Sequence, residues 1–395
     1  MKKVLIGTTN FSKIQYFQTL LKDYEVDFIT LNDLQIHSNP QEDGKTPQEN
    51  AKIKALYYGQ FFDSVICNDS GLYFVNLKIN DPLQPGLHIR SPQGIYLDDE
   101  AMIAYYSRLV ASFHQDIKAY YQDSFAVFNK GKIRVYTIPK KIALNRFFYL
   151  TKNPHPLRHP GWPLDSLSLN QNKKYFVEEK NDMLMNETKI SIDLEYQMNL
   201  IHFFVQSLQL KPKKILETER LYLRKLQKKD IPRLKAILQD PEVMVAYEHA
   251  FSDQEVLDWL YKNLLRYQQD GFGLWAVCLK QTNQMIGQCG LTYQNYKNQK
   301  VVEIGYLFLK QFWHQGFATE AAIACKNYAF QTLKLQKVYS IIRDNNFASM
   351  RVAIRNGMKK IDQIVKHYCN LDLVHDVYCI HNFKQKRNEE NNNGI

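Results

Sequence analysis

Apolar residues come in short runs broken by polar turns, and the spacing of those runs changes near residue 210. In the first half, Val4-Leu5-Ile6 predicts a short buried strand that gives way to Gly7-Thr8-Thr9-Asn10. Ile14, Phe17, Leu20 and Leu21 then recur on one helical face, 26–31 reads as the next strand, and 46–62 has helical spacing with Pro47 in its first turn. Val65-Ile66-Cys67 predicts a strand capped by Asn68-Asp69-Ser70-Gly71, with another strand over 72–77. Strands alternating with helices predict a mixed α/β domain whose chemistry lies at strand ends and loops.

The second half opens with the strand Leu221-Tyr222-Leu223, followed by helices over 230–238, with Asp230 as N-cap, and 253–268. Strands over 274–279, 285–292 and 301–309 come next, then a helix over 316–333, a strand over 337–342 and a helix over 346–356. This order predicts an α+β domain in which a mixed, mostly antiparallel sheet leads into one β–loop–α unit. Between the halves, an apolar helical stretch over 198–205 gives way to Lys211-Pro212-Lys213-Lys214, where Pro212 cannot continue a helix. The expected organisation is a domain over 1–209, a basic linker over 210–217, a second domain over 218–384 and a disordered tail over 385–395.

At 395 residues and 45% hydrophobic, the chain has ample material for two packed cores, which excludes a disordered, collagen-like or disulfide-stapled protein. No apolar run approaches the roughly 18 residues of a membrane span. The apolar start ends after Gly7, too soon for an export signal. Six cysteines without CxxC or paired metal spacing fit a reduced, cytoplasmic protein. The net charge of +11 is uneven, with 23 Lys/Arg against 22 Asp/Glu over 1–210 and 28 against 18 over 211–395. Ten of the later basic residues lie within 211–235, either as a solvated surface or as an arm for RNA or the ribosome.

Three polar clusters in the first half have the makings of one phosphate-and-metal site. Thr8, Asn10 and Lys13 stand where a strand meets a helix N-terminus, a place that favours anions. Glu42-Asp43-Gly44 precedes a helix bearing Glu49, Asn50, Lys52 and Lys54, and Asp69 ends a buried strand. Carboxylates and lysines around a polyphosphate are what Mg²⁺-assisted phosphoryl chemistry requires, although each cluster alone is also an ordinary turn.

In sequence order, Thr8-Thr9-Asn10-Phe11-Ser12-Lys13, then Glu42-Asp43-Gly44-Lys45-Thr46-Pro47-Gln48-Glu49-Asn50-Ala51-Lys52-Ile53-Lys54-Ala55, then Asp69-Ser70-Gly71-Leu72 resemble the inosine/xanthosine triphosphate pyrophosphatases. With Pro85-Gly86 and Arg90, the resemblance covers about residues 1–90. It implies Mg²⁺-dependent cleavage of an aberrant purine nucleoside triphosphate (ITP, XTP or dITP) to its monophosphate and pyrophosphate. The same resemblance assigns Thr8, Asn10, Lys13, Lys54 and Ser70 to the substrate and Glu42 and Asp69 to the metal, Asp69 also activating water. Later the pattern departs. Asn68 replaces a carboxylate, Trp162 and Asp165 are what remains of the base-pocket segment, and Lys189 is the candidate late lysine, with no His-Arg pair after it. Losing that pair predicts weak base discrimination and leaves open a nucleotide-binding or scaffolding module without turnover.

In the second half, Gly316 and Ala318 are small residues in a loop that enters a helix, where backbone N–H groups can approach a pyrophosphate. A plain strand–turn–helix is the alternative. The segments 216–224, Ile286-Gly287, Gly290-Leu291, 303–309 and Trp313-His314-Gln315-Gly316-Phe317-Ala318-Thr319-Glu320-Ala321 resemble GCN5-related N-acetyltransferases, in the branch that acetylates ribosomal-protein N-termini. Asn345, Ser349, Val352 and Asn356-Gly357-Met358 extend the match, so that it covers about 215–383. The resemblance implies acetyl-CoA bound by Leu307, Leu309, Gln315, Gly316, Phe317, Ala318, Thr319, Asn345 and Ser349. It also implies an amine acceptor, either a protein N-terminus or a small molecule. Glu303 is the candidate base and Tyr378 or Tyr368 the candidate acid, with the acceptor pocket expected among helices within 240–271. A homodimer is left open.

Overall fold

The computed structural model describes residues 1–178, 187–368 and 371–382, with the backbone alone at 93, 187–192 and 368. Cys369, the expected tail and the side chain of Lys189 lie outside the described residues. The chain forms two compact units, Met1–Lys211 and Pro212–Ile395. Among the described residues no helix is long and apolar enough to cross a membrane.

The first unit comprises β1 (Lys2–Ile6), α1 (Phe11–Leu20), β2 (Val26–Thr30), α2 (Pro47–Tyr58), β3 (Ser64–Phe74), α3 (Asp99–Ala111), β4 (Ile117–Asn129), β5 (Lys132–Thr137), α4 (Lys140–Asn145), β6 (Phe148–Leu150), β7 (Ser168–Leu169) and α5 (Glu187–Leu208). Its sheet runs β2-β1-β3-β4-β6-β7, with β5 also on β4; β1 is parallel to β2 and β3, and the other pairs are antiparallel. Phe17 of α1, Phe125 of β4 and Phe204 of α5 meet edge to face on one side of this sheet. On the other side, Ala51, Ala55 and Tyr58 of α2 pack against Leu5, Val65 and Cys67.

Polar caps fix where these helices begin. The Asn10 side chain accepts from the Lys13 N–H at 3.2 Å, and Thr46 accepts from the Glu49 N–H at 3.1 Å ahead of Pro47. The turn expected at Asn68–Gly71 does not form. Those residues lie inside the continuous strand β3, in register with Ser124, Asp123 and Gln122 of β4. The β1 ladder stops at Ile66; beyond it β3 stays paired with β4, and on its other side Leu72 makes an isolated antiparallel bridge with Gly86.

The second unit comprises β8 (Leu216–Glu217), β9 (Leu221–Arg224), α6 (Ile231–Leu238), α7 (Asp253–Gln269), β10 (Leu274–Leu279), β11 (Met285–Tyr296), β12 (Gln299–Phe308), α8 (Phe317–Gln331), β13 (Lys337–Arg343), α9 (Phe347–Arg355), β14 (Lys359–Tyr368) and β15 (Leu371–His381). The sheet order is β14-β15-β13-β12-β11-β10-β9-β8. The pairs are antiparallel except β12 with β13, which are parallel and meet at one register pair, Glu303 with Tyr339. Trp275, Ile286, Leu291, Ala321 and Cys325 form a core between sheet and helices.

Part of the segment expected as a linker, Leu216–Glu217, is thus the edge strand of this sheet. Asp230 does not cap α6 with its side chain. Its carboxylate takes both Nη atoms of buried Arg224 at 2.6 and 2.7 Å, because an arginine fork in the core needs a bidentate acceptor.

Candidate active sites

In the first unit, residues one turn apart on α2 face the polar end of β3. Lys54 Nζ lies 2.7 Å from Glu42 Oε2 and 2.8 Å from Asp69 Oδ1. Buried Asn50, one turn earlier, donates to Asp69 Oδ2 at 3.3 Å and accepts from the Gly44 N–H at 2.9 Å. Asn50 therefore ties the Glu42 loop to the Asp69 strand. A Cβ at Gly44 would stand 2.5 Å from the Asn50 carboxamide oxygen, which is why the loop carries glycine there. Burial works against the Lys54 charge, but the two carboxylates prevail and hold its pKa above the ordinary lysine value.

Lys13, in the first turn of α1, makes no ion pair among the described residues; burial, then the charge of Lys54, lowers its pKa. Beside it, Ser70 Oγ donates to Asp123 Oδ1 at 2.7 Å and the Tyr196 hydroxyl donates to Asp123 Oδ2 at 3.2 Å. Arg146 lies 3.9 Å from the centre of the Tyr196 ring and donates to Asp193 at 2.8 Å. Asn68 Oδ1 is buried without a hydrogen-bond partner. Thr8 Oγ1 accepts from the Asn10 N–H at 3.2 Å, which shapes the loop.

The Trp162 loop reaches the start of α1, where Ser12 Oγ donates to the Pro160 carbonyl at 2.9 Å. Gly161, at φ +80°, would place a Cβ 3.0 Å from that same hydroxyl. Trp162 itself is 42% exposed. Asp165 lies 3.0 Å from His159 Nδ1, so its carboxylate has a partner other than a base.

The second unit builds its site from a split in the sheet. Past Glu303, β12 and β13 diverge, and a cavity of about 630 Å³ opens along β12 toward the start of α8. Gly316, at φ +82°, turns the chain into α8, and Phe317, Ala318 and Thr319 present the first free N–H groups of that helix to the cavity. Arg220 braces this turn: it donates to the Gln315 carbonyl at 3.0 Å and to Glu320 Oε2 at 2.7 Å.

On the facing wall Asn345 and Ser349 line the cavity, and Asn346 caps α9 by accepting from the Ser349 N–H at 3.1 Å. Leu307 also lines it, whereas Leu309 is turned into the core and the Gln315 side chain donates to the Gln311 carbonyl. Glu303 Oε1 accepts from the Ile341 N–H at 2.9 Å, a donor left unpaired by the strand divergence. Burial lifts its pKa above the usual carboxylate value, outweighing that hydrogen bond and the charges of Lys366 and Arg266.

Two family models match this chain, the Ham1 family over residues 4–140 and the acetyltransferase (GNAT) domain over residues 220–359. An uncharacterized protein of Bacillus subtilis, YkkB, is 37% identical over 144 residues, covering 36% of this chain and 84% of that protein. The second unit belongs to the GNAT family, and the first is similar to the Ham1 family over residues 4–140. Both are enzyme families, of nucleoside-triphosphate pyrophosphatases and acetyltransferases.

A dITP/XTP pyrophosphatase of Leptospira interrogans is 32% identical over 127 residues, 32% of this chain and 61% of that protein, so the Ham1 half spans less than two thirds of that relative. The solved Ham1 protein of Staphylococcus aureus is similar at 20% identity over 52% of this chain and 98% of its own, with a TM-score of 0.39.

Within the Ham1 domain the structure brings together Lys13, Glu42, Lys54, Asp69 and Ser70, with the Trp162 loop at their margin. Asp123 was missing from the expected site, and Asn50, named in the acidic cluster, had no assigned role. Asn50 lies in the quoted motif and could have been found there, whereas Asp123 sits in a segment without a motif. Within the GNAT domain Arg351 and Arg355 of α9 line the cavity and were also missed, since charges on an amphipathic helix read as a solvated face. Nor is the basic segment over 211–235 a free arm: Arg224 is buried on Asp230, Lys214 pairs with Glu217, and Lys235 pairs with Asp253.

Proposed function

We propose that the GNAT domain transfers the acetyl group of acetyl-CoA to an amine, either a protein N-terminus or a small molecule. The observation that carries this reading is the cavity between the diverging strands, closed at one end by the N-terminus of α8. Those N–H groups and the helix dipole suit a pyrophosphate, with Arg351 and Arg355 adding positive charge. In the transfer the amine nitrogen bonds to the thioester carbonyl carbon, the carbon–sulfur bond breaks and the thiolate takes up a proton. Glu303, with its raised pKa, is suited to accept the proton the ammonium must lose, through a water. Titrating the purified protein with acetyl-CoA by calorimetry and following thiol release with amine libraries tests this reading.

For the Ham1 domain we infer hydrolysis of an aberrant purine nucleoside triphosphate to its monophosphate and pyrophosphate. The convergence of two carboxylates on one cation, beside a second lysine without an ion pair among the described residues, carries the inference. That donor set fits Mg²⁺, which is commonly held by one or two carboxylates with the remaining positions left to phosphate oxygens and water. No group of three or more His, Cys, Asp or Glu side chains that could hold a metal occurs among the described residues. Glu42 and Asp69 would hold the ion, which supplies charge against the phosphates when bound. Lys13 and Lys54 neutralise phosphate oxygens, and Asp69 orients the attacking water.

Asn68, standing where a further carboxylate is expected, favours a second reading in which this domain binds nucleotide without turnover. Incubation with ITP, XTP, dITP and ATP, with and without Mg²⁺, separates the two. The hydrolase releases pyrophosphate and no orthophosphate, and the binding module releases neither. A cytoplasmic setting is supported by Cys67, Cys278, Cys289, Cys325 and Cys379, all free and buried.

A further inference from the structure

The Lys54 ammonium stands between Glu42 and Asp69, in the place a metal ion would take. We propose that Lys54 is an internal competitor for that place, so that the Ham1 domain admits a divalent ion only together with a polyphosphate. The proposal rests on the phosphohydrolase-site reading above but needs no turnover.

A metal arriving alone must drive Lys54 off both carboxylates. Its side chain is 14% exposed, so water compensates the displaced ammonium poorly. It also has few other partners nearby. Asp123 is held by Ser70 and Tyr196, and Asp69 Oδ2 by Asn50. Lys13, another cation, makes no ion pair among the described residues, and the charges of the two lysines disfavour each other. A triphosphate reverses this balance, because its oxygens receive Lys54 and Lys13 together while the carboxylates pass to the ion. Metal and polyphosphate thus bind with positive coupling, and the coupling is reciprocal. Asn50 keeps the two carboxylates converged through the exchange, since its bonds go to Asp69 Oδ2 and the Gly44 N–H and not to the oxygens Lys54 holds.

The test is Mn²⁺ binding to the full chain without nucleotide, followed by the paramagnetic resonance of free Mn²⁺. Lys54→Met and Lys54→Gln should each bind Mn²⁺ at least about tenfold more tightly than wild type, within the usual range of coupling factors. Lys54→Arg, which keeps the cation, should stay as weak as wild type. Equal or weaker binding by the neutral variants overturns the proposal. Should both neutral variants fail to fold, wild type decides. Its thermal midpoint should not move with Mn²⁺ alone, and should rise with Mn²⁺ plus an α,β-methylene triphosphate beyond the rise given by the analogue alone. A rise with Mn²⁺ alone equal to that with both overturns it. Failure to hydrolyse ITP would count against the hydrolase reading and would leave this binding contrast unchanged.

Discussion

In the Ham1 domain the groups proposed to meet a polyphosphate are side chains, and several already hold one another: Lys54 lies on Glu42 and Asp69, and Ser70 and Tyr196 on Asp123. In the GNAT domain the groups proposed to meet a pyrophosphate are backbone N–H groups at the start of α8, fixed by Gly316 and braced by Arg220 on Glu320. The first arrangement must exchange partners to bind, so it depends on charge. The second is open before the ligand arrives, so it depends on shape. Substitutions that alter size should damage the second most, and substitutions that alter charge the first.

The largest effect is expected from Gly316→Glu. Gly316 adopts φ +82° at the mouth of the anion site, and glutamate brings strain, bulk and like charge. Acetyl-CoA binding should vanish in calorimetry while the fold, followed by circular dichroism, persists. Next comes Asp69→Asn, which replaces the carboxylate facing Lys54 with a neutral amide. Pyrophosphate release should fall about 10²–10⁴-fold, the usual cost of losing an acid–base group.

Glu303→Gln keeps a carbonyl oxygen for the Ile341 N–H but removes the proposed base, so acetyl-CoA affinity should hold while turnover drops about 10²-fold. The base acts unprotonated and burial raises its pKa. Wild-type turnover should therefore climb with pH through that raised value, above the ordinary carboxylate range, and the variant should lose this limb. Smallest is Asn50→Ala, which leaves the Gly44 N–H without its acceptor and costs about 1–3 kcal/mol. A lowered unfolding midpoint for the Ham1 domain would register it, and an unchanged midpoint would deny Asn50 its role as the tie between loops.

Legibility in the sequence also differs between the regions. The helix starts at Asn10 and Thr46 were readable because side-chain caps are local. So was the α8 turn, because Gly316 precedes a small-residue helix entrance. Position along a strand was not readable. Asn68–Gly71 has the composition of a turn, and it is pairing with β4, distant in sequence, that extends β3 through it. Asp123 and Asn50 acquire their roles only when β3, β4 and α2 come together. Strands β14 and β15 escaped notice because Ile361, Val365 and Leu371 are exposed among polar neighbours, which weakens the apolar alternation that marks a half-buried strand.

The central claim is that one chain carries two separate chemistries at two separate sites. Its most direct test is to measure both activities, pyrophosphate release from ITP with Mg²⁺ and CoA release from acetyl-CoA with an amine, in Asp69→Asn and Gly316→Glu side by side. The account predicts that the first variant loses only pyrophosphate release and the second only CoA release. Loss of both activities in either folded variant, or retention of both in the two, would contradict it.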